Sequence, residues 1–213
     1  MASPYRQVTG RDVAALLNPR PVVIIGAHDG NETGFATVAW ITPISHDPAL
    51  LAFALRAQSH TMGLIRATGA FSVSVLDARA SDSIEAAAYC GNGSGYREDK
   101  GKGLAHQLVK PQSTDGNESA DGELPVVAGA LSWLACKVED IREAGDHLLT
   151  TALVTEAHTR CESDGKGRIS SVDALLCIQH DTFAIAGTAA LRFKETSSGA
   201  TPSAKAAHRR SAP

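Results

Sequence analysis

Arg56, Ser59 and Thr61 fall in one short stretch, Arg56-Ala57-Gln58-Ser59-His60-Thr61, and their types suit the holding of an anion. A helical apolar pattern, Met62, Ile65 and then Arg66, begins directly afterwards, which makes Ser59 the natural N-cap. A helix start presents unpaired backbone N–H groups and the positive end of the peptide dipole, so a phosphate placed there is stabilised. Arg56 adds a forked cation, and Ser59 and Thr61 add short hydroxyl donors. Taken alone, a capped helix with a surface arginine is the commoner arrangement. The balance shifts because the preceding strand carries Trp40, whose flat ring suits a planar ligand. Together these residues point to a phosphate-bearing cofactor.

The elements that must position them are mostly strands. Phe35, Thr37, Ala39 and Ile41 alternate with Ala36, Val38, Trp40 and Thr42, and both sets are too apolar for a solvated face, which predicts a strand packed on both sides. Pro43 to Pro48 reads as the turn after it, and Leu50 to Leu55 as the next strand, delivering Arg56 to the helix start. Upstream, Val8 to Leu17 predicts a short helix ended by Asn18-Pro19-Arg20-Pro21, and Val22 to His28 a β-rich run. Downstream, the helix after Ser59 stops at Gly69, and Phe71, Val73 and Val75 mark a half-buried strand. Ser81 to Tyr89 reads as a helix. Leu131 to Ile141 and Leu148 to Ala157 read as a hairpin across Glu143-Ala144-Gly145-Asp146, and Val172 to Ile178 and Thr182 to Ile185 close the domain. The connections are not regular βαβ units, so a mainly β barrel-like fold with short helices is expected.

Several strings, in order, carry a resemblance to a known family. ATVAW at Ala36 to Trp40, TPIS at Thr42 to Ser45, DP at Asp47-Pro48, SHT at Ser59 to Thr61, CGxxSG at Cys90 to Gly95, DK at Asp99-Lys100 and GDH at Gly145 to His147 resemble the flavin reductase-like proteins of the flavoredoxin type. Those are FMN-binding split β-barrels. The likeness runs from about Asn18 to Gly187.

The resemblance implies a site. The backbone around Thr37, Val38 and Ala39 would meet the polar edge of the flavin ring, Trp40 would pack near it, and Arg56, Ser59 and Thr61 would hold the phosphate of FMN, with FAD as the other flavin to consider. Lys100 would approach the ring or phosphate, although such a lysine is ordinarily a solvated one. His147 and Phe183 would lie near the isoalloxazine from the opposite subunit of a homodimer; on their own they read as a hairpin-turn histidine and a core aromatic. Relatives commonly carry asparagine where this chain has Gly34, so one flavin hydrogen bond is either missing or supplied by Asn31. The implied function is an NAD(P)H-dependent reductase that passes electrons to a flavin, a disulfide, a quinone-like acceptor or an oxygenase partner. The alternative is an FMN-binding protein that stores or senses the flavin without turnover. Hydride transfer through a flavin needs positioned rings and excluded water more than catalytic side chains, in keeping with the lack of a Ser-His-Asp arrangement or carboxylate pair of catalytic spacing.

Composition bounds the rest. A chain of 213 residues, 43% hydrophobic and 20% charged, suits one domain over 1–190, followed by a polar, basic tail over 191–213 that is expected to be disordered. A net charge of -3 gives no reason to expect nucleic acid or an anionic membrane as partner. No segment approaches the ~20 apolar residues of a membrane span, and a cytoplasmic protein is the default expectation. Cys90, Cys136, Cys161 and Cys177 show no CxxC spacing, so reduced thiols and no metal are expected, with Cys136 and Cys177 buried and Cys90 nearer the surface. The glycines from Gly91 to Gly95 and Gly101 to Gly103 complete no nucleotide-binding pattern. Gln112 to Glu123 reads as an inserted surface loop. A homodimer is expected because an open barrel leaves apolar faces, around Trp40 and Trp133, that need covering.

Overall fold

The structure is a computed structural model that describes residues 5–10, 12–92, 94–112, 122–163, 173–179 and 182–185. The 191–213 tail and most of the Gln112–Glu123 insertion lie outside these residues. The first half of the chain forms α1 (Asp12–Ala15), β1 (Arg20–Pro21), β2 (Val23–His28), β3 (Thr33–Val38), β4 (Ile41–His46), β5 (Ala49–Arg56), α2 (His60–Thr68), β6 (Ala70–Val75) and α3 (Asp82–Asn92). It continues through α4 (Lys100–Gly103), β7 (His106–Val109), β8 (Leu124–Val127), β9 (Ser132–Ala144), β10 (His147–Thr159), β11 (Leu175–Gln179) and β12 (Thr182–Ile185).

Seven strands form one antiparallel sheet in the order β3-β2-β6-β9-β10-β5-β4. Its two outermost strands are consecutive in sequence, joined only by Ala39 and Trp40. Laid flat, seven strands would hold their edges about 29 Å apart at ~4.8 Å per strand. A link of two residues spans at most about 11 Å from Val38 to Ile41 at ~3.8 Å per Cα step. The sheet therefore curls until its edges nearly meet, without pairing: a split β-barrel. One side-chain face from six of its strands fills the inside, with Val23, Ile25, Val38, Phe53, Phe71 and Ala152 among the buried residues. Phe53 and Phe71 meet edge to face at 5.1 Å, and α2 adds Met62, Leu64 and Ile65. The other face of β2 is equally apolar. Val22 and Ile24 pack with Phe35, Ala87, Cys90, Leu104 and Leu175 in a second core under α3 and the small sheets β1-β11-β12 and β7-β8.

Several sequence expectations need correction. The strand from Phe35 does not run through Trp40; it breaks at Ala39-Trp40, because that is where the chain changes edges. Pro43 to His46 is strand rather than turn, and the turn is confined to Asp47-Pro48. Proline is tolerated there because β4 pairs only with β5 and its outer edge asks for no N–H donor. The expected helix over Val8 to Leu17 is reduced to Asp12–Ala15, while α3 runs past Tyr89 into the glycine-rich stretch as far as Asn92. Gly101 to Gly103 belongs to the short α4. Cys90 is buried, at 3% exposure, because that last turn of α3 lies on the second core. The hairpin of β9 and β10 is as expected, with Gly145 at φ +65° in its turn.

The closest approach in the barrel wall falls at Gly26 of β2. A Cβ there would stand 2.6 Å from the Pro125 carbonyl oxygen of β8 and 2.9 Å from the Phe35 ring, and Ser72 Oγ already donates to that same carbonyl. Gly26→Ala is therefore expected to destabilise the fold by about 1–3 kcal/mol through overpacking. Urea unfolding would read this as a lowered midpoint; an unchanged midpoint would mean that β8 yields freely.

Candidate functional site

A cleft of about 560 Å³ opens at the split of the barrel. Its walls are the end of β3, the Ala39-Trp40 link, the end of β5, the start of α2, the start of β10, the end of α3 and the start of α4. Of the ten residues singled out in the sequence, Thr37, Val38, Ala39, Trp40, Arg56, Ser59, Thr61, Lys100 and His147 all line it.

The anion-binding end is the start of α2. Ser59 occupies the N-cap position in an extended conformation (φ −69°, ψ 132°), yet its hydroxyl makes no capping bond. In a helix that begins at His60, the first N–H groups have no intrahelical carbonyl to meet. Thr61 is 2% exposed, at the buried root of the site, whereas Arg56 stands exposed at the rim on the last residue of β5. Polar donors with unspent capacity, next to a cation and a helix dipole, fit a phosphate.

The other end is aromatic. Trp40, 41% exposed, lies against His147 with ring centroids 4.6 Å apart and planes tilted by 35°. The Arg20 guanidinium sits over the same indole at 5.8 Å. His147 opens β10 directly opposite Arg56 in the β5–β10 register, and its Nδ1 donates to Asp146 at 2.7 Å. That hydrogen bond, with the nearby imidazole, holds the exposed Asp146 carboxyl below the usual carboxylate range. His147 thus reaches the cleft from this same chain.

Lys100 is the buried charge of the site. It is 4% exposed, and its Nζ donates to the Cys90 carbonyl at 2.6 Å, one of the last carbonyls of α3. The ammonium thereby satisfies the negative end of a helix. Burial pushes the Lys100 pKa down, and the neighbouring Cys90 and Glu98 act in the opposite direction. Burial also pushes the Cys90 thiol up to about 11, which leaves it a packing residue and no nucleophile. Thr37 ties the same helix to β3 by donating to the Ala87 carbonyl at 2.6 Å.

Phe183 does not join the others. It pairs with Cys177 in the small sheet and packs against the second core, away from this cleft. Among the cleft residues that the sequence reading did not assign is His60, whose ring fills the wall between Gly34 and Gly95. Its partner Glu32 is 28 positions away, and nothing in the spacing announces that pair. Among the described residues no group of His, Cys, Asp or Glu could hold a metal, and no helix is long and apolar enough to cross a membrane.

Comparison with known proteins agrees with this geometry. The chain is 29% identical over 134 residues to a flavin reductase of Pseudomonas putida, covering 63% of this chain and 68% of that protein. It is 29% identical over 153 residues to an NADPH-flavin oxidoreductase of Streptomyces viridifaciens, covering 70% and 68%. Among solved structures, an FMN-binding protein from Thermus thermophilus superposes with a TM-score of 0.74 at 22% identity, over 90% of this chain and 99% of that one. Flavoredoxin from Methanosarcina acetivorans gives 0.74 at 18% identity, over 91% and 97%. These neighbours share the split-barrel architecture. The model of the flavin reductase like domain matches residues 16–184, most of the chain, and this protein belongs to that family.

Proposed function

We propose that this protein is an NAD(P)H-dependent flavin reductase that holds FMN in the cleft at the barrel split. The observation that carries this reading is the convergence of an uncommitted helix start, Arg56 and two hydroxyls at one end of the cleft with Trp40 and His147 beside it. FMN held there by Arg56, Ser59 and Thr61 would supply the hydride acceptor for NAD(P)H.

The chain's own residues bind and orient. Arg56, Ser59, Thr61 and the first N–H groups of α2 fix the phosphate, and the β3 backbone from Thr37 to Ala39 offers hydrogen-bonding groups to the polar edge of the ring. Lys100, fixed to the end of α3, sets a positive charge in the cleft wall that favours electron density arriving on a neighbouring ring. Trp40 and His147 flank the mouth, where the second substrate enters, and exclude water from one side. Phe183 serves a cleft only if a second copy brings its small sheet alongside, as the proposed homodimer would. The acceptor is a free flavin, a disulfide, a quinone-like molecule or an oxygenase component. A styrene monooxygenase flavin reductase of Pseudomonas putida, with a TM-score of 0.63 at 20% identity over 86% of this chain and 100% of that one, shares the fold and makes the oxygenase-linked option concrete.

The spectrum of the purified protein with FMN, before and after anaerobic addition of NADH or NADPH, tests the proposal. Bleaching of the bound yellow chromophore is expected; a yellow protein that reacts with neither nicotinamide would show a flavin-binding protein without turnover, and failure to take up FMN would reject both.

The phosphate clamp is tested separately. Arg56→Ala removes a charge-assisted hydrogen bond of ~1.5 to 3 kcal/mol, which lowers FMN affinity roughly tenfold to a hundredfold and leaves riboflavin affinity far less changed. Thr61→Val should act in the same sense more mildly. Fluorescence titration with both ligands decides it: equal losses would mean general damage to the barrel and no phosphate contact.

A further inference from the structure

His60 is a half-buried polar side chain at the cleft to which the proposed chemistry gives no task. Its ring, 15% exposed, is wedged between two backbones: a Cβ on Gly34 would lie 3.2 Å from its Nδ1, and a Cβ on Gly95 would lie 2.8 to 3.1 Å from its Cβ, Nδ1 and Cγ. Nε2 donates to Glu32 Oε2 at 3.0 Å, which fixes the tautomer, because a carboxylate only accepts. Nδ1 is buried with no partner among the described residues. Tyr96 presses on the ring from the outside, edge to face at 5.0 Å, with its hydroxyl placed over Gly63 of α2. The imidazole is therefore the contact by which the turn from Ser94 to Asp99 rests on the first residue of α2.

That turn leads straight to the site. Asp99 caps α4 by accepting from the Lys102 N–H, and Lys100 is the next residue, with its ammonium in the cleft wall. Ser94 and Gly95 also line the cleft. We infer that His60 is a positioning residue for the flavin site: held by Glu32, it seats Gly95 and Tyr96 and so fixes the Ser94–Asp99 turn, and through it Lys100, relative to the phosphate-binding start of α2. The inference rests on the flavin-binding reading of the cleft, but the His60–Gly95 contact itself can be measured without flavin.

A double-mutant cycle tests it. His60→Ala and Gly95→Ala are each expected to weaken FMN binding about tenfold, the worth of about one net hydrogen bond. The double variant should bind better than the sum of the two single losses predicts, because without the ring the new methyl group meets only the Cβ at position 60. His60→Gln, which keeps an N–H for Glu32, should recover part of the loss. Trypsin cleavage after Arg97 and Lys102, read without FMN, should be faster in both single variants and less accelerated in the double than the two single effects combined predict, with the urea midpoint recorded alongside to separate loosening of the turn from global unfolding. Losses that simply add in the double variant, or a His60→Ala protein that binds FMN and resists trypsin like the parent, would overturn the inference. If the parent bound no FMN, the flavin reading would fall, and the trypsin cycle would still decide whether His60 seats the turn.

Discussion

The two-residue link Ala39-Trp40 is the constraint on which the rest of this structure depends. It forces the edges of a seven-stranded sheet together and yet keeps them from pairing, since Trp40 is in neither strand. The Trp40 carbonyl accepts from Ala54 N–H at 2.9 Å, so the link is pinned to β5 at the point where that strand approaches Arg56. From that one closure follow the enclosed core, the opening at the split, and the placement of an exposed indole at its mouth. A barrel closed by continuous pairing would have buried those backbone groups in a ladder. Here the end of β3 remains a wall of the cleft.

Two helix ends supply the electrostatics. α2 points its amide end at the cleft, and α3 brings its carbonyl end to the same place, so the cleft lies between the positive pole of one helix and the negative pole of another. Lys100 resolves the mismatch. By donating to the Cys90 carbonyl, it answers the carbonyl pole of α3 and leaves the surroundings of α2 net attractive to an anion. Arg56 extends that attraction to the rim, where Asp146 is drawn below its ordinary pKa chiefly by His147 and only slightly by Arg56. The arginine is therefore not committed to a strong ion pair with that acid.

What the sequence makes legible is what local pattern alone decides. The start of α2 at Ser59, and its stop at Gly69 in a left-handed C-cap with N–H to the Ile65 carbonyl, follow from side-chain chemistry within a few residues. So do β2, apolar on both faces, and the β9–β10 hairpin around Gly145. The break at Trp40 is invisible because residues Phe35 to Thr42 keep a perfect alternation across it; only the closure of the sheet decides that the chain leaves one edge there. Pro43 misleads for the related reason that an edge strand cannot be told from a turn without knowing its neighbours. That Arg56, Ser59 and Thr61 share one end of the cleft is legible since they sit within one turn of a predictable helix start. The place of His60 is not, because Glu32, Gly34 and Gly95 meet it only in the fold.

The burial of Lys100 shows how such a site tolerates its own charge. An isolated ammonium at 4% exposure would carry a desolvation penalty of several kcal/mol, and its lowered pKa records part of that cost. The carbonyl end of α3 offsets it with a donor-to-acceptor contact of 2.6 Å and with the dipole behind that carbonyl. In the proposed flavin complex the same charge would favour a phosphate and an electron-rich ring edge in the cleft. Cys90 contributes its backbone alone to this arrangement, for its thiol is buried and held protonated. The spacing between the α2 amides and the Trp40 ring, which a ligand lying along the cleft must span, is set by the closure of the barrel and by no single side chain.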